Sequence, residues 1–124
     1  MKLEYLHEGS SDCPLIRIYK FQTKEIEKLH GMISDLAKGK KHSVVLDDLS
    51  FINPIEGCSL IFLVSKKDEG IALSKDLKFR CLLTSDSWMR VAELLTTFKG
   101  DLNGYQWLDE TGVVSLLLSS NGKW

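Results

Sequence analysis

Residues 43–84 read SVVLDDLSFINPIEGCSLIFLVSKKDEGIALSKDLKFRCLLT, and this stretch decides the fold. Ser43–Leu49, Cys58–Val64 and Phe79–Thr84 are apolar runs of strand length, with a shorter piece at Ile71–Leu73. Asn53, Pro54, Glu56 and Gly57 separate the first two, and Lys66, Lys67, Asp68, Glu69 and Gly70 close the second; runs this short between turn formers predict strands. The local hairpin signals outnumber crossovers, which predicts a meander of short antiparallel strands. Segments of helical periodicity lie on both sides. The expected class is α+β, a largely antiparallel β-sheet with two amphipathic α-helices packed on it.

Upstream, Lys2–His7 and Leu15–Phe21 alternate as strands around a loop of Gly9, Ser10, Ser11, Asp12 and Pro14, predicting a hairpin. Thr23 is a suitable N-cap for a helix over Lys24–Lys38 that Gly39 terminates, with Ile26, Leu29, Ile33 and Leu36 on one stripe. Gly31 costs such a helix about 1 kcal/mol relative to alanine, which a close approach to the sheet would explain. Downstream, Ser85 or Asp86 caps a second helix that stops before Gly100 and buries Trp88, Val91, Leu94 or Leu95, and Phe98. Tyr105–Leu118 predicts a final hairpin turning at Asp109, Glu110, Thr111 and Gly112, the glycine supplying positive φ. Leu116, Leu117 and Leu118 are consecutive, so both faces of that strand are covered or one meets a partner. Trp124, after Gly122, is read as a hook onto the body or an exposed anchor.

Composition narrows the classes. The 124 residues, 44% hydrophobic and 27% charged, suit one globular domain over 1–124, with only two prolines and no linker tract. Net charge is -1, Arg17, Arg80 and Arg90 are the only arginines, and acidic residues interrupt most basic stretches, which argues against nucleic acid or an anionic membrane surface. Glu4, His7 and Glu8 stand where a signal peptide needs an apolar core, and the strongest apolar run is too short to span a bilayer. Cys13, Cys58 and Cys81 are an odd, widely spaced set, which fits reduced thiols in a cytoplasmic protein.

Few residues advertise chemistry. Asp47 and Asp48 follow a hydrophobic strand, where paired carboxylates can hold magnesium, but the phosphate-cradling glycine loop that accompanies such sites is absent. His7, Asp12 and Cys13 are close in sequence, and a Cys–His pair can make a nucleophile once a third group orients it. His30 and His42 have no metal ligand at suitable spacing, so neither a metal nor a cofactor is expected. Tyr105 and Trp107 are same-face residues of one strand and with Leu116, Leu118 and Trp124 form the candidate surface for a ligand or partner.

Two resemblances bear on this. VVLDDLSFINPIEG, residues 44–57, resembles the core of the STAS domains of anti-sigma factor antagonists, in which a strand leads through Asp-Ser to a helix. That resemblance implies a regulatory partner protein, here with Pro54 after Asn53 where the phosphorylatable serine would stand. EYLHEGSSDCPLIRIY at 4–19 and YQWLDETGVVSLLLS at 105–119 are similar to short bacterial proteins of unassigned function, which implies no activity to transfer. The expected function is a non-enzymatic binding or assembly module with a homodimeric or other protein partner. The alternatives are a small enzyme built around Asp47 and Asp48 or His7, Asp12 and Cys13, and a STAS-like regulator.

Overall fold

Alternation of apolar and polar residues sets the first two strands where the sequence places them. In the computed structural model, which describes residues 1–98 and 104–124, β1 (Lys2–Leu6) and β2 (Leu15–Tyr19) form an antiparallel hairpin pairing Leu3 with Ile18 and Tyr5 with Ile16. Leu3, Ile16 and Ile18 turn to the core. Glu4, Arg17 and Tyr19 take the outer face, where the guanidinium donates to Glu4 Oε1 at 2.6 and 2.9 Å and lies 4.1 Å from the Tyr19 ring centre.

Helix α1 (Thr23–Ala37) follows, then β3 (Ser43–Val45), β4 (Asn53–Pro54), β5 (Ser59–Val64), β6 (Gly70–Ile71), β7 (Lys78–Leu83), helix α2 (Ser85–Phe98), β8 (Tyr105–Asp109) and β9 (Ser115–Ser119). Gly100, expected to follow the end of the second helix, lies outside the described residues. The strands make two sheets, ordered β4-β1-β2-β9-β8 and β3-β5-β7-β6. Both are mixed: β1 with β4, β2 with β9 and β5 with β7 run parallel. This corrects the expected largely antiparallel sheet and meander. Turn signals report only neighbours joined by a tight turn, whereas the 65–77 connection is long enough to return the chain beside β5 in the same direction and lay β6 on the far edge of β7. The 44–57 stretch continues from β3 through a short 3-10 turn at Leu46–Asp48 into β4 and β5 and contains no α-helix.

Helix α1 begins one residue ahead of its expected start, and α2 begins at Ser85, within its expected start. Gln22 caps α1, its N–H donating to Glu25 Oε1 at 2.8 Å. At α2, Thr84 Oγ1 accepts from the Ser87 N–H at 3.2 Å, while Asp68, distant in sequence, accepts from the Thr84 N–H at 2.8 Å and the Ser87 hydroxyl at 2.7 Å. These bonds hold the Asp68 carboxyl below its ordinary pKa. A depressed carboxylate stabilises the fold above its unfolded pKa and loses that contribution as pH falls through its folded one. Asp68→Asn should therefore flatten the acid limb of a stability-versus-pH curve measured by urea unfolding.

Gly31 is not explained by close approach to the sheet. It is exposed on α1, its φ is not left-handed, and a Cβ there would meet nothing within 4 Å. Gly31→Ala should raise stability by about 1 kcal/mol, read as a higher urea midpoint with unchanged slope.

One core joins the layers. The α1 stripe Ile26, Leu29, Ile33 and Leu36 and the α2 stripe Trp88, Val91, Leu95 and Phe98 pack with Leu60, Phe62, Phe79 and Cys81 of one sheet and Leu3, Ile18, Leu116 and Leu118 of the other. Trp88 is fully buried; its ring centre lies 4.7 Å from that of Phe62 and its indole N–H donates to the Leu63 carbonyl at 3.0 Å. The sheets meet where Ile71 bridges Val114, next to the crossing of Gly70 and Gly112. Gly112 does not supply the positive φ expected of it. It supplies space, since a Cβ there would lie 2.4 Å from Ile71 O and 2.5 Å from Ile71 N. No helix among the described residues is long and apolar enough to cross a membrane.

Candidate functional site

Strand β8 ends its sheet, so one side of its main chain pairs with β9 and the other has no strand beside it among the described residues. Gly104 and Ser120 form a hydrogen-bonded pair, the Ser120 N–H donating to Gly104 O at 3.0 Å. In an antiparallel ladder such pairs alternate, so Gln106 and Leu118 form the next, and the N–H and C=O groups of Tyr105 and Trp107 point to the open edge. The Trp107 carbonyl there accepts the Gln106 side-chain amide at 2.9 Å. A bulge between Trp107 and Asp109 then breaks the alternation and turns Leu108 and Asp109 together toward the interior, 2% and 3% exposed.

The open edge borders a groove of about 360 Å³ whose far wall is α2, through Arg90 and Leu94, and whose near wall is every residue from Trp107 to Thr111. Of these lining residues only Trp107 belongs to the regular edge; Leu108 to Thr111 belong to the bulge and the turn after it, so the groove begins where the regular edge ends. Arg90 is exposed and makes no ion pair or hydrogen bond among the described residues, although its charge contributes to the lowering of Asp68. Asp109 accepts the Thr111 hydroxyl at 2.6 Å through Oδ1. Its Oδ2 is buried with no partner among the described residues and sits 3.0 Å from where a Gly70 Cβ would be, on the side of the sheet junction.

The aromatic candidates take distinct places. Tyr105 is 51% exposed and lines a shallower hollow of about 220 Å³ with Trp124, Lys123, Asn121 and Gly104; Trp107 is half-buried at the groove. Trp124 is a hook: half-buried, its indole N–H donates to Asp12 Oδ2 at 3.0 Å, and Arg17 donates to the Gly122 carbonyl at 2.6 Å. The tail thus crosses the outer face, on which Leu15 and Leu117 are fully buried. Leu116 and Leu118, expected at the contact surface, are both fully buried in the core.

None of the polar candidates lines any of the three hollows described, the third being about 180 Å³ beside Leu73 and Arg80. Asp47 Oδ1 accepts the Ser59 hydroxyl and the Leu60 N–H, both at 3.1 Å, which fixes the start of β5. Asp48 is exposed beside it. His7 Nδ1 lies 3.2 Å from the Tyr5 hydroxyl, whose pKa is raised by burial and by the nearby Cys13. Cys13 is half-buried, 3.7 Å from Ser10 Oγ, while Asp12 is taken by Trp124. Among the described residues no three His, Cys, Asp or Glu side chains gather as a metal could require.

Burial pushes the Cys58 thiol up to about 11, with the Asp47 and Glu4 charges adding to the rise, and drives Cys81 higher still beside Asp109. The thiolate is the reactive form. A disulfide-exchange reagent at neutral pH should therefore titrate one thiol per native chain, Cys13, and all three after unfolding; a Cys13→Ser chain should give none until it unfolds.

No family model, curated protein or solved structure matches the chain. The site is therefore defined by its own geometry. The period of two in the sequence points to Tyr105 and Trp107 and not to Arg90 and Leu94, which line the groove with Trp107. Their signal was present: four residues apart on α2, they flank the buried stripe and so share one border of it. In the sequence Asp109 reads as a turn residue, and nothing in the alternation marks the bulge that buries it.

Proposed function

We propose that the protein is a non-enzymatic binding module that engages a partner protein through the β8 side of the domain. One observation carries this: a strand edge with no strand beside it among the described residues, bearing half-buried Trp107 and exposed Tyr105, leads at Trp107 into a groove of about 360 Å³. Aromatic residues set partly into such surfaces contribute much of the energy of protein contacts. The residues considered for catalysis support the same reading, since Asp47 and Asp12 spend carboxylate oxygens on structural bonds. Burial of Leu116, Leu117 and Leu118 removes the sequence motive for a homodimer built on that strand.

A photo-crosslinking amino acid placed at Tyr105 in cells tests the proposal, with Glu27 on the exposed side of α1 as control. The expected result is a discrete adduct from position 105 alone, lost when Trp107→Ala is added to a chain whose circular dichroism is unchanged. Equal labelling from both positions, or none from 105, would overturn it.

A further inference from the structure

Resting on that binding reading, we infer that the groove beside β8 takes an extended peptide segment of the partner as an added strand, with an acidic side chain of that segment held by Arg90. Three features of the edge at Tyr105–Trp107 and of the groove that continues from Trp107 converge on this occupant. The N–H and C=O groups of Tyr105 and Trp107 face the open edge, which is the donor and acceptor pattern that an incoming strand pairs with. The Gln106 amide holds the Trp107 carbonyl at 2.9 Å, a bond from a side chain that an incoming N–H can replace one for one. The opposite wall is α2, whose Leu94 gives an apolar contact and whose Arg90 guanidinium makes no hydrogen bond or direct ion pair among the described residues, its charge acting on Asp68 only at longer range.

Charge chooses the sequence of the occupant. A guanidinium at the wall of a partly enclosed groove favours a carboxylate, which it can bind through two parallel N–H···O contacts. Glu110, exposed at the turn end of the same groove, disfavours a second acidic residue there and favours a basic one. The predicted segment is therefore short and extended, apolar at the position between Leu94 and Trp107, acidic at Arg90 and basic toward Glu110. The β8 bulge confines pairing to the Tyr105–Trp107 part of the edge, since it ends the regular ladder at Asp109.

The test is selection of a randomised eight-residue peptide library on the immobilised chain, followed by affinity measurement with the enriched peptides as probes. The expected peptides carry an acidic residue and bind Arg90→Ala at least about tenfold more weakly, the effect of losing one charge-assisted contact. N-methylation of alternate peptide amides should abolish binding in one phase and leave it intact in the other, since only every second amide of an added strand faces β8. Amide resonances of Tyr105 and Trp107 should shift on titration. Absence of any enriched peptide, insensitivity to both Arg90→Ala and N-methylation, or shifts confined to other faces would overturn strand addition. A peptide mapping to another face would overturn this inference and leave a binding module; a null crosslink from Tyr105 would remove the module itself.

Discussion

Gly112→Ala should cost about 3 kcal/mol of stability, the upper end of the range for forcing an extra carbon into a packed site. The reason is that the atoms in its way are backbone. A Cβ at Gly112 would stand 2.4 Å from the Ile71 carbonyl oxygen and 2.5 Å from its nitrogen, and neither can swing aside as a side-chain end could. The Ile71–Val114 bridge, with Val114 N–H donating to Ile71 O at 3.0 Å, would have to open to admit it. Urea unfolding followed by circular dichroism measures the loss. A destabilisation under about 1 kcal/mol would show that the two sheets can slide apart without penalty. Gly31→Ala is the paired control, since the same chemical change there carries the opposite sign.

The second large effect is expected at Trp88. Trp88→Ala removes the biggest fully buried side chain, and truncations of this kind cost about 3–5 kcal/mol. Trp88→Phe separates packing from hydrogen bonding. Phenylalanine keeps a ring against Phe62 but cannot donate to the Leu63 carbonyl, so about 2 kcal/mol is expected, from the smaller ring and the lost donor together. Equal loss in the two variants would place the whole contribution in the hydrogen bond. Chemical unfolding monitored by the remaining tryptophans, Trp107 and Trp124, reports both.

Local patterns were legible where one segment determines its own structure. The period of Ile26, Leu29, Ile33 and Leu36 identifies α1 and its buried face without knowledge of anything it packs on. The β1–β2 and β8–β9 hairpins follow from alternation and turn residues in the same way. Pairing between distant segments was not legible, because nothing in Leu15–Tyr19 or Ser115–Ser119 specifies that they lie side by side and parallel. The same limit governs the candidate site. Tyr105 and Trp107 could be read from spacing on one strand, whereas the groove needs α2 to be brought against that strand, and Arg90 has no meaning as a wall until it is. Leu116 and Leu118 misled for a related reason: consecutive leucines reveal that a strand is covered on both faces, and only the fold shows that the chain itself supplies both covers, the core on one face and the tail tied to Arg17 and Asp12 on the other.

The pairing of β2 with β9 also constrains how the chain comes into being. Leu15 meets Ser115 and Tyr19 meets Ser119, so the centre of the five-stranded sheet joins an early-synthesised segment to a very late one. While the ribosome is still making residues before 115, β2 has β1 on one side and its other edge without its native partner. Strand edges of that kind recruit other chains. A transcript cut short before β9 should thus yield a product prone to aggregation, and refolding of the full chain should be slow for its size, limited by closure of its longest loop.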